Sequence, residues 1–275
     1  MSPKSLLKTA AFGAAIGGFL LLAGSVAHAD SMDEGDRFFK AGQYDVAADK
    51  YYAAYIADRT GKRAAEALIK TGRSLDLAKK DLYEKADGRC YLGKKSERQA
   101  RPECFEADVA DLNRRYGDGA FSYHGDQVQY SYNATHFQKV LDQFPNSSYQ
   151  DEASLALLRG NALVSEDPNY GINKVEDWLA KYPKSALRPR ALLLLGRLYS
   201  DAFGAFKSGG FVLVNGRVDP ERISMERSKS QAKGLAAFRE VFEKYGSSPE
   251  AGPARREYEL LKNGQDDGIS YGVTY

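Results

Sequence analysis

Apolar positions recur along this chain with helical spacing. Phe137, Val140, Leu141 and Phe144 stand at i, i+3, i+4 and i+7, and so do Val175, Trp178, Leu179 and Tyr182. Phe238, Val241, Phe242 and Tyr245 repeat the pattern a third time. Such spacing lays one apolar stripe along one face of a helix. Each stripe stops at a breaker: Pro145-Asn146-Ser147-Ser148, Pro183-Lys184-Ser185-Ala186 and Gly246-Ser247-Ser248-Pro249. Proline withholds a backbone donor and glycine costs conformational entropy, so both end helices. A second helix is predicted after two of these turns, over 153–163 and 190–203, with Gly160 and Gly196 in their interiors. A glycine inside a helix costs about 1 kcal/mol relative to alanine, so it needs a packing reason. Close approach of a partner helix is the natural one.

Paired helices of this kind, repeated, stack into a one-dimensional array. The residues resemble the tetratricopeptide repeat, which places Gly and an aromatic residue in the first helix and small and aromatic residues in the second. Gly35, Phe38, Ala47, Tyr51 and Ala54 match that spacing. The later units resemble a longer variant found in bacterial envelope proteins, of the general type seen in Tol-Pal-associated and outer-membrane assembly proteins. In that variant the next glycine follows 21 residues after the aromatic position, as from Tyr51 to Gly72 and from Val175 to Gly196; Phe137 to Gly160 is two longer. The turns read FPNSS over 144–148 and KYPKSA over 181–186. The resemblance covers 31–75, 133–203 and 230–262. It implies an all-α, helical-hairpin solenoid whose first helices line a concave, partner-binding groove. The position after each first-helix glycine faces that groove, which selects Asp36, Arg73, Asn161 and Arg197; Arg190 shares the face with Arg197. Arg73, Asn161, Arg190 and Arg197 are the groove candidates, either clamping a peptide or standing as ordinary solvated polar residues.

Two segments break the regularity. Residues 76–132 are expected to be an irregular insertion: a helical continuation over 77–86, a cysteine-bounded stretch opening at Gly88, a helix over 102–116 with proline in its first turn, then a loop. Tyr116, Phe121, Tyr123, Tyr130 and Tyr132 crowd that last part, offering a binding surface or a cover packed over the array. The second insertion, 204–229, carries a hairpin signal, Phe211 to Val214, then Asn215-Gly216, then Arg217-Val218. The units read as 30–75, 133–203 and 230–262, with 263–275 a loose tail.

Composition changes the picture at the N-terminus. Lys4 and Lys8 precede an uncharged run over 9–29 that closes with Ala27-His28-Ala29, the pattern of a secretory signal peptide occupying 1–29. An uncleaved membrane anchor is the rival, since the run approaches the ~20 residues that span a bilayer. Cleavage after Ala29 leaves 246 residues and takes the formal charge from +2 to 0. The expected location is periplasmic. A neutral chain with interspersed charges argues against nucleic acid as a partner.

In an exported chain, Cys90 and Cys104 are expected to pair. Metal binding is the rival reading, but His124 and His136 stand at no recognisable ligand spacing. No nucleophile elbow, zinc-protease motif or phosphate-binding loop occurs, and no cofactor is assigned. The acidic residues sit mainly at polar helix positions, where solvated faces are expected, so enzymatic action on the cell wall ranks below binding. The expected function is a non-enzymatic scaffold for a protein or peptide partner in the envelope, with peptidoglycan or carbohydrate association as the alternative.

Overall fold

A computed structural model describes residues 31–93, 99–125, 129–161, 168–207, 213–214 and 217–265. The fold is α-helical. Helix α1 covers 31–40 and reverses at Gly42, whose φ of +74° suits glycine, into α2 (Tyr44–Ala57). Then come α3 (Ala64–Cys90), α4 (Pro102–Tyr116), α5 (Thr135–Gln143), α6 (Gln150–Asn161) and α7 (Pro168–Lys181). The last three helices are α8 (Arg188–Lys207), α9 (Pro220–Lys244) and α10 (Ala251–Lys262). Three short antiparallel pairs lie among them: β1 (Tyr91–Leu92) with β2 (Gln99–Ala100), β3 (Phe121–His124) with β4 (Gln129–Tyr132), and β5 (Leu213–Val214) with β6 (Arg217–Val218).

Leaving the insertion aside, helices pack in chain order, α2 on α3, α3 on α5, and onward to α10. Glycines mark the contacts. A Cβ at Gly35 would stand 2.5 Å from the Tyr51 ring, and one at Gly72 would stand 2.7 Å from Phe137. Gly196 is covered in the same way by the Phe238 ring, and Gly234 by Leu261 at 2.7 Å. Tyr51 and Phe238 are among the largest fully buried side chains. Gly160 lies in α6, but what surrounds it falls outside the described residues.

The turns repeat as closely as the glycine seats. Backbone N–H groups of Asp58, Phe144, Tyr182 and Tyr245 donate back to Ala54, Val140, Trp178 and Val241, closing the last turns of α2, α5, α7 and α9. Three residues on, N–H groups of Gly61, Ser147, Ser185 and Ser248 donate to the carbonyls of Asp58, Phe144, Tyr182 and Tyr245, at 2.9–3.4 Å. The core divides into two clusters at α6, with Ala153 in the first and Leu155 in the second.

The structure redraws several expected boundaries. Helix α3 runs through 76 and past Gly88 without a break, because Leu75, Ala78, Leu82, Ala86 and Cys90 keep one buried stripe going. The aromatic stretch expected as a loop is partly a hairpin, with Phe121 opposite Tyr132 and Tyr123 opposite Tyr130. Helix α8 continues to Lys207 and α9 begins at Pro220, so the second insertion is shorter than 204–229. Asp219 caps α9 by accepting from the N–H groups of Glu221 and Arg222, at 3.1 and 3.2 Å. The short strands β5 and β6 pair Leu213 with Val218 and Val214 with Arg217; the turn at Asn215-Gly216 lies outside the described residues. So do the proposed export signal and residues 266–275. Among the described residues no helix is long and apolar enough to cross a membrane.

Cys90 and Cys104 form a disulfide with 5.4 Å between Cα atoms, tying the last turn of α3 to the first turn of α4. Cross-linking positions 14 residues apart restricts the unfolded chain and is worth about 3 kcal/mol. Cys104→Ser is expected to lower stability by that amount, read by denaturant unfolding. An unchanged midpoint would show that the bridge constrains nothing.

Candidate functional site

Helices α1, α3, α6, α8 and α10 are the first members of the successive pairs, and the polar residues facing along this row join neighbours. Asp36, one place after Gly35, accepts from the Tyr51 hydroxyl at 2.6 Å and from Lys70 of α3 at 2.7 Å. Burial pushes the Asp36 carboxyl up, but the bonds from Lys70 and Tyr51 outweigh it and hold it below the usual range. Arg73, one place after Gly72, makes a two-pronged pair with Glu152 of α6. Arg197, one place after Gly196, makes the same kind of pair with Glu257 of α10, at 2.6–3.2 Å. Arg190 bonds Glu250 at the start of α10 at 3.3 Å.

The three arginines among the groove candidates are therefore each joined to a glutamate. Glu152, Glu250 and Glu257 are only 12–13% exposed, while their arginine partners are 28–49% exposed. Each carboxylate is more enclosed than the guanidinium it holds, so this row of helices presents oriented donors over balanced charge. The sequence did carry a signal for this: Arg190 and Arg197 are seven apart, as are Glu250 and Glu257, which fits two parallel helices in register. Asn161 ends α6, and its side chain lies outside the described residues.

Between α3, α6 and α8 the row opens into a cavity of about 620 Å³. Arg73 and Arg190 stand at its wall, and Leu77, Leu155, Leu193 and Leu194 supply apolar surface. Leu77 is 48% exposed, a large apolar side chain left in solvent inside a concavity. No sequence pattern singled out Leu77, because it belongs to the part of α3 assigned to the insertion.

The aromatic candidates are placed differently. Tyr116, Phe121 and Tyr132 are buried, with Phe121 and Tyr132 in ring contact at 5.5 Å. Tyr123 stacks on Phe105 at 5.8 Å, and the Tyr130 side chain lies outside the described residues. These rings build the core of the insertion. The register explains why: Phe121 and Tyr123 alternate along β3, so this strand sends both rings to one face. His136 completes this core, its Nδ1 bonded to the Tyr132 hydroxyl and its Nε2 to the Tyr116 carbonyl, both at 2.9 Å. Burial, with the charge of Lys139 adding to it, pushes His136 down to about 3, so the ring is neutral.

No protein-family model matches the chain, and no curated protein matches it. The reading of the groove rests on its own geometry.

Proposed function

We propose that this chain is an exported, non-enzymatic scaffold of tetratricopeptide-like helix pairs that binds a protein or peptide partner through the concavity between α3, α6 and α8. The observation that carries this reading is the cavity itself, with apolar surface that includes the half-exposed Leu77 and a wall of arginines held by partly buried glutamates. Apolar surface favours burial of a partner's side chains, and the guanidinium N–H groups suit peptide carbonyls and carboxylates. The repeated turn and the glycine seats support the repeat reading. Export to the periplasm draws on the N-terminal pattern and is compatible with the disulfide. The wall-binding alternative draws less support, since Tyr116, Phe121 and Tyr132 are enclosed and offer little face to a sugar.

Leu77→Asp places a charge in the cavity at an exposed position, so the fold tolerates it. Partner recovered from envelope extracts by the natural chain is expected to be lost with this variant, while the melting temperature stays within a few degrees. Equal recovery by both would overturn the groove assignment. Cosedimentation with purified sacculi separates the alternative reading, which predicts retention whatever stands at position 77.

A further inference from the structure

A second polar cluster lies where the insertion meets α2 and α5. Its frame is Gly117, which ends α4 with φ +99°, a conformation that favours glycine. The point where a Cβ would stand at Gly117 is 2.8 Å from the Tyr52 hydroxyl oxygen and 3.0 Å from Lys139 Nζ. The Tyr52 ring is fixed from three sides, by His136 at 5.3 Å, Tyr55 at 5.8 Å and Tyr116 at 6.2 Å. Its hydroxyl is therefore aimed by packing. Lys139 reaches the same place from α5, and the charge of Arg59, in the turn after α2, acts on both groups.

Among the described residues, no carboxylate lies within ion-pair distance of Lys139 or Arg59. Neither the Lys139 ammonium nor the Tyr52 hydroxyl has a hydrogen-bond partner there either. That sets the cluster apart from the groove, where Arg73, Arg190 and Arg197 each carry a glutamate. Asp118, in the exposed turn beside Gly117, acts on the cluster electrostatically without bonding to it.

We infer that Lys139 and Tyr52, which meet over the side-chain-free backbone of Gly117, form a binding site for one oxyanion group, a carboxylate or a phosphate. An ammonium and a hydroxyl converging on one place supply donors to neighbouring oxygens of a single group, and the charge of the exposed Arg59 adds to the positive field there. Burial, reinforced by Arg59, pushes Lys139 below its usual value; only Asp118 opposes this. An anion bound there returns the solvation that the ammonium has lost. A side chain at position 117 would displace both donors. This site is independent of the groove reading.

The test is thermal unfolding of the full chain in sodium phosphate or sodium acetate, each titrated at constant ionic strength with sodium chloride. The melting temperature is expected to rise with at least one of the two anions. A rise with phosphate alone assigns a phosphate group, a rise with acetate alone a carboxylate, and a rise with both the shared oxyanion chemistry. In Lys139→Gln the apparent affinity is expected to weaken about tenfold to a hundredfold, the loss of one charge-assisted hydrogen bond. Lys80→Gln, at an exposed lysine remote in the chain, is expected to keep the full rise. If Lys139→Gln does not fold, Arg59→Gln, at an exposed position, carries the same comparison. No rise with either anion, or an equal rise in the natural and substituted chains, overturns the site.

Discussion

Phe238→Ala is expected to lower the free energy of unfolding by about 3–5 kcal/mol, the cost of deleting a fully enclosed ring from a core that cannot close over the gap. The ring lies on Gly196 of α8, and this makes the prediction sharper than a general core deletion. Gly196→Ala alone introduces a Cβ into space the ring holds, and overpacking of that kind costs about 1–3 kcal/mol. Placed in the Phe238→Ala background, the same alanine meets no ring. There it should recover up to about 1 kcal/mol through the higher helix propensity of alanine. The sign of the Gly196→Ala effect therefore reverses between the two backgrounds, which a double-mutant cycle by denaturant unfolding reads directly. Additive effects would mean that the glycine is not there to seat the ring.

Acid is expected to weaken the fold well before its carboxylates titrate. His136 is buried and neutral, with a folded value of about 3 against 6.5 when exposed. A group whose folded value is depressed in this way binds its proton mainly in the unfolded chain. Its contribution is fully present above pH 6.5 and is lost as pH falls from there toward 3. At about 1.36 kcal/mol per unit, the loss between pH 6.5 and 5 is about 2 kcal/mol, and over the whole interval about 4 kcal/mol. The carboxyls of Asp36, Glu66 and Glu176, held below their usual range, lose their contributions only at lower pH. His136→Gln keeps a polar side chain but removes the titration, so its stability should change little between pH 6.5 and 5. A natural chain whose stability is flat across that window would contradict a neutral, enclosed imidazole.

The helices were readable in the sequence wherever one face is apolar and the other polar. The stripes ending at Phe144, Tyr182 and Tyr245 correspond to the ends of α5, α7 and α9, and the interior glycine of α8 sits under a ring. What escaped has physical reasons. The helical continuation over 77–86 was readable, but the last turn of α3 was hidden because Gly88 reads as a break, whereas the buried pair Ala86 and Cys90 carries the helix through it. The start of α9 was masked by the hairpin signal just before it, although Asp219-Pro220 is a good cap and first-turn pair. The arginines after the glycines were found, but their glutamates stand on the next first helix. For Arg73 that partner is 79 residues away, and no local rule reaches so far. The cluster at Gly117 has no motif at all, since Tyr52, Gly117 and Lys139 meet only when the insertion folds back.

The seat at Gly72 has a further meaning for how the chain assembles. Tyr51 closes on Gly35 across 16 residues, whereas Phe137 must close on Gly72 across 65, because α4 and two hairpins intervene. Two doublings of loop length raise the entropic cost of closure by about 1.2 kcal/mol. The Cys90–Cys104 bridge cuts that excursion short before Phe137 arrives. Oxidation should therefore speed folding of the N-terminal half, with reduced chains lagging at the α3–α5 junction while the pairs beyond α6 form at their usual rate.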